Sequence, residues 1–122
     1  MKRIMQTEFF KEGVSRGDCL RACIASLTGI PFEQIHHSVQ MEDYLSLILN
    51  NGFDINCTDR IEKVESNGIG GYFIGVGPTP RGPYHAVIIN KKGDLVHDPH
   101  PSGVGISKLV YIYEIEKVIQ KL

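Results

Sequence analysis

Gly17-Asp18-Cys19-Leu20-Arg21-Ala22-Cys23-Ile24-Ala25-Ser26-Leu27-Thr28-Gly29-Ile30-Pro31 reads as one helix with both ends marked. Asp18 is a residue type whose side chain satisfies orphan first-turn N–H groups. Leu20, Cys23, Ile24 and Leu27 recur at helical spacing, and Gly29 followed by Pro31 stops the run. Cys19 then falls in the first turn, where unpaired backbone N–H groups and the positive end of the helix dipole favour a thiolate. Cys23 lies one turn deeper on the same face and reads as a small buried hydrophobe.

Working outward, Pro31 at a first helical position predicts a second helix through about Ser38, and residues 42–50 predict a third, stopped by Asn51-Gly52. From Phe53 the pattern changes to strands: Phe53 to Cys57, Tyr72 to Val76, Tyr84 to Asn90, Leu95 to Asp98 and Leu109 to Ile115. Gly68-Ile69-Gly70-Gly71 and Gly77-Pro78-Thr79-Pro80-Arg81-Gly82-Pro83 separate segments of this part. Helices first and strands later predict an α+β fold, and Asn90-Lys91-Lys92-Gly93-Asp94 predicts a hairpin and hence an antiparallel sheet. Residues 116–122 read as a short helix or a frayed end.

At 122 residues the chain is expected to be one domain, residues 1–122, with no separate regulatory module. A net charge of -1, from 13 basic and 14 acidic residues, with no basic run beyond Lys91-Lys92, argues against nucleic acid and against a membrane surface as partners. The start of the chain has no apolar h-region and no stretch approaches transmembrane length, so a cytoplasmic protein is expected. Three cysteines fit neither a disulfide framework nor a paired zinc pattern. At least one thiol is therefore free for chemistry.

Cys19, His85 and Asp98 stand in the chain order of a thiol catalytic triad. A two-residue loop at Lys92-Gly93 would set Asp98 opposite Val87 and on the face that carries His85; a three-residue loop would put the two on opposite faces. A lone strand histidine is ordinarily a satisfied, half-buried residue, but that reading leaves the cysteine and the aspartate as accidents. Metal binding by His97, Asp98, His100, His36 and His37 is the competing pattern. His97 and His100 on a strand point to opposite faces with Pro99 between them, and adjacent His36-His37 reads as a solvated helix surface, so no metal and no cofactor are expected. Cys57, in a strand, reads as packing.

Gly17-Asp18-Cys19 leading into Ala22, with His85-Ala86-Val87-Ile88 and Val96-His97-Asp98-Pro99 followed by Ser102-Gly103, resembles the papain-like cysteine peptidase superfamily. Within it the chain is most similar to the small bacterial peptidase domains that cut double-glycine leader peptides and to short related phage and bacterial proteins. The resemblance implies N-terminal helices packed on an antiparallel sheet, with Cys19 as nucleophile, His85 as general base then acid, and Asp98 orienting the imidazole. It also implies a peptide or protein substrate and an oxyanion-binding glutamine upstream of the cysteine, for which Gln6 is the candidate. Gln6 stands thirteen residues before Cys19, with residues 7–16 as an insertion, and an exposed polar residue near a terminus is the other reading of it. Leu20 also replaces the glycine that often follows the cysteine. Hydrolysis of an amide, peptide or isopeptide bond through an acyl-thioester on Cys19 is the leading expectation. A transglutaminase-type acyltransferase and a non-catalytic binding module on the same scaffold are the alternatives.

Overall fold

The first helix, α1, forms at Cys19–Thr28, and its chain reverses through Gly29 at φ +77°, whose N–H returns to Ala25 O at 3.0 Å. In this computed structural model, which describes residues 1–11, 15–80 and 82–118, α1 is buried on almost every side: Leu20, Ala22, Cys23, Ile24, Ala25, Ser26 and Leu27 are all in the interior. One flank is covered by the N-terminal segment, whose Ile4 N–H donates to Ser26 Oγ at 3.0 Å. A short hairpin not expected from the sequence, β1 (Phe10–Lys11) with β2 (Ser15–Arg16), precedes α1. Its two-residue strands are too short to carry a readable alternation.

The helix expected from Pro31 to Ser38 is a single 3-10 turn, Phe32–Gln34. Ile35 goes extended there, which sinks its side chain to 1% exposure, and the Tyr44 hydroxyl holds Ser38 by both its N–H and its C=O. Tertiary burial has overridden a local helix signal. The third expected helix is a 3-10 turn at Met41–Tyr44 running into α2 (Leu45–Asn50), and Gly52 at φ +84° turns the chain away.

Five antiparallel strands follow: β3 (Phe53–Thr58), β4 (Tyr72–Pro78), β5 (Tyr84–Asn90), β6 (Leu95–His97) and β7 (Tyr111–Lys117), in the spatial order β3-β7-β4-β5-β6. The molecule is α+β, as expected from the order of elements. Glu116 and Lys117 extend β7 against Asp54 and Phe53 rather than starting a helix; residues 119–122 lie outside the described residues. One sheet face, with Ile74, Val76, Ala86, Ile88 and Ile115, packs on α1 and on Tyr44 and Ile48. The other, with Phe73, Val87, Ile89 and Ile112, is closed by Val64, Ile106 and Leu109 from irregular segments. Burial on both faces explains why β5 reads Ala86-Val87-Ile88-Ile89 without alternation. Gly77 lets the covering segment come close: a Cβ there would stand 1.8 Å from Lys108 O, where Ser107 N–H donates to Pro78 O at 2.7 Å.

The β5–β6 turn departs from the expected two-residue loop. Asn90 N–H donates to Asp94 O, and Gly93 N–H to Asn90 O, so Lys91, Lys92 and Gly93 form a three-residue loop. Such a loop alone would set Asp98 on the wrong face. Ile89 pairs with Leu95 but Ile88 pairs with His97, so Val96 is an extra residue in β6, and this bulge restores the face.

Candidate active site

Gly17 precedes the helix at φ +81°, and a Cβ on it would come within 3.2 Å of Glu8 O and Phe10 N, so only glycine fits this approach. His37 Nε2 bonds Gly17 O at 2.9 Å while its Nδ1 lies 3.1 Å from Glu8 Oε2. His36 stacks on Tyr44 with Nε2 on Asp43 O. Both histidines are exposed, as expected, but they lie on an irregular segment after the 3-10 turn rather than on a helix surface, and both are hydrogen-bonded.

Cys19 opens α1 and is half-buried; its Sγ accepts the Ala86 N–H at 3.4 Å. That bond sets the thiol against the start of β5, where His85 is 6% exposed. His85 Nε2 donates to Asp98 Oδ1 at 2.6 Å, and Cys19 is the other side chain that acts on the ring. With Nε2 occupied, Nδ1 is the nitrogen left for the thiol. Asp98 is fixed from three directions: Oδ1 also accepts the His100 N–H at 2.9 Å, and Oδ2 accepts the Gly105 N–H at 2.8 Å.

Burial alone would push the imidazole down. The bond to Asp98 and the electrostatic interactions with the Cys19 and Asp98 side chains override it and raise His85 from 6.5 to about 9. Burial would raise Asp98, but its bonds to His85, His100 and Gly105 lower it from 3.8 to about 2. The pair is therefore held as imidazolium and carboxylate at neutral pH.

Gln6 is 7% exposed, not a solvated terminal residue. Its N–H donates to Pro99 O at 3.1 Å, its Nε2 donates to Glu8 O at 2.8 Å, and its buried Oε1 has no partner among the described residues. The side chain lines a pocket of about 270 Å³ together with Cys19, His85 and His100. A larger groove of about 1370 Å³ also reaches Cys19 and His85, with Leu20, Met41, Tyr111 and Tyr113 in its walls. Phe10 and Tyr84, exposed at 52% and 60%, border both spaces; sequence reading had no signal for them.

Asp18 occupies the N-cap position but makes no side-chain cap, a correction to the expected role. Its carboxylate, 1% exposed at the residue level, turns back to the N-terminal segment. Cys23 is fully buried, and burial pushes its thiol up. Cys57 is exposed on β3 rather than packed, in the wall of the larger groove. His97 Nε2 bonds Ile4 O at 2.7 Å, and His100 sets its ring edge-on to Phe9 and His85. Among the described residues no three His, Cys, Asp or Glu side chains gather as a metal site, and no helix is long and apolar enough to cross a membrane. Comparison with protein-family models, with curated proteins and with solved structures finds no match to this chain.

Proposed function

We propose that the protein is a cysteine-dependent hydrolase of papain-like architecture that cleaves an amide, peptide or isopeptide bond through an acyl-thioester on Cys19. The observation that carries this reading is the buried 2.6 Å bond from His85 Nε2 to Asp98 Oδ1, which turns the other face of the imidazole to a thiol at a helix N-terminus. Groups from α1, β5 and the end of β6 come together, and two clefts reach Cys19 and His85. A packing histidine has no need of that arrangement.

In the proposed reaction Cys19 Sγ attacks the carbonyl carbon, and the negative charge moves to the carbonyl oxygen. The Cys19 backbone N–H and the second Nε2 hydrogen of Gln6 receive that oxygen, the first being held by Glu8 O. Collapse breaks the C–N bond while His85 Nδ1 gives its proton to the departing amine. Water then attacks the thioester, His85 takes a proton from it, and the acid leaves as Sγ is restored. Asp98 keeps the ring orientation throughout and stabilises the positive charge whenever Nδ1 carries its proton. Three free thiols fit a reducing compartment, so the reading extends to a cytoplasmic enzyme acting on a peptide or protein.

The test is a peptide and protein mixture incubated with the protein and with Cys19→Ala, followed by mass spectrometry. Fragments carrying the mass of added water, made only by the Cys19 form, are expected; joined products would instead mean acyl transfer to an amine. Identical mixtures from both proteins, together with equal alkylation of Cys19 and Cys57, would leave a binding module on this scaffold.

A further inference from the structure

The thirteen-residue distance between Gln6 and Cys19 has to be closed in space, because an oxyanion site tolerates little displacement of its donors. The β1–β2 hairpin takes up the intervening chain, and its base brings Glu8 back beside Asp18. Asp18 Oδ1 accepts the N–H groups of both Thr7 and Glu8 at 2.8 Å, and Oδ2 accepts the Thr7 hydroxyl at 2.6 Å. Arg21 Nη1 stands 3.8 Å from Oδ2, itself held by the Phe32 carbonyl and the Phe32 ring. Glu8 O then serves two donors, the Asp18 N–H at 3.1 Å and Gln6 Nε2 at 2.8 Å. The residue before the nucleophile and the amide of Gln6 are thus joined through one peptide group.

Resting on the hydrolase reading, we propose that Asp18 is a positioning residue: it clamps residues 7–8 to the start of α1 and thereby aims the Gln6 amide at the carbonyl bound to Cys19. A buried carboxylate receiving three hydrogen bonds from one neighbouring segment is costly to place unless that segment must be held. An ordinary N-cap would have turned the same side chain toward its own helix. Here the sequence spends the cap residue on the segment that carries Gln6.

The experiment is a double-mutant cycle on turnover, with Cys19 alkylation and thermal melting measured alongside. Asp18→Ala is expected to lower kcat on the order of a hundredfold, the scale of a lost oxyanion donor, with KM and the alkylation rate little changed. In a Gln6→Ala background the same change should alter kcat by no more than about twofold. Asp18→Asn keeps an oxygen for both N–H groups and an NH2 for the Thr7 hydroxyl to accept, so it should recover most of the turnover. Losses that multiply in the double variant, or a parallel fall of alkylation and melting temperature, would overturn the proposal.

An activity-free arm separates this inference from the function itself. In Asp18→Ala the amides of Thr7 and Glu8 should lose protection from hydrogen exchange, and the Gln6 side-chain NH2 resonances should move to averaged positions, while α1 amides stay protected. Unchanged exchange and unchanged Gln6 resonances would overturn the clamp even if turnover were high. Changed resonances in a protein that cleaves nothing would keep the clamp and remove the hydrolase.

Discussion

Each of the three cysteines has a distinct environment, and they should therefore differ sharply in chemistry. Cys23 is sealed in the core, Cys57 is exposed with burial and Asp59 raising its thiol, and Cys19 faces His85 at a helix N-terminus. Iodoacetamide at neutral pH is expected to label Cys19 much faster than Cys57 and to leave Cys23 unlabelled, and His85→Ala should slow only the Cys19 reaction; equal rates in the variant would remove His85 from the site. Asp98 has a finer requirement than the sequence revealed. An asparagine can keep the bond to the imidazole, but its NH2 group would then face the Gly105 N–H, which now donates to Oδ2. Asp98→Asn should fold with a stability loss of about 1–3 kcal/mol, while Asp98→Ala also frees the imidazole and should lose most turnover. Denaturant midpoints and rates measured on both variants distinguish the two effects.

At the scale of elements, the site depends on how β4, β5 and β6 are trimmed. The Val96 bulge offsets the three-residue loop and returns Asp98 to the His85 face, so the His85–Asp98 contact rests on one irregular residue in β6. β4 contributes by an absence, since Gly77 pairs with His85 and admits the 106–110 segment against the sheet. Gly77→Ala meets Lys108 O, a backbone atom, and the segment must move. The expected cost is about 3 kcal/mol, at the upper end for overpacking, and because Gly105 anchors Asp98 just upstream, turnover should fall with it. A melting temperature equal to wild type would show that the covering segment does not need that approach. The lost second helix belongs to this scale as well: Pro31 and the residues after it carry a helix signature, yet Ile35 gains more from the core than from a further turn.

Across the whole molecule the His85–Asp98 pair links stability to pH from both sides. His85 is raised from 6.5 to about 9, so its contribution is complete below about pH 6.5 and is lost as pH rises through about 9. Asp98 is lowered from 3.8 to about 2, so its contribution is complete above about pH 3.8 and is lost as pH falls through about 2. The melting-temperature difference between wild type and His85→Gln should thus be widest near pH 5 to 6 and shrink toward pH 9; a constant difference across that range would sever the linkage. Much of this molecule could be read from the chain alone. α1 with its Gly29 stop, the extent of β5 at Tyr84–Asn90, the α+β class and the candidacy of Cys19, His85 and Asp98 follow from local rules, because caps, periodicities and breakers act over a few residues. Tertiary structure alone decided the rest. Whether Asp98 faces His85 depended on a bulge, which leaves no signature in residue type. Whether Gln6 reaches the site depended on a hairpin and on an aspartate that abandons its own helix. Such choices are made by partners distant in sequence: a buried polar atom is satisfied wherever the fold brings a donor, and linear spacing carries no record of which one that is.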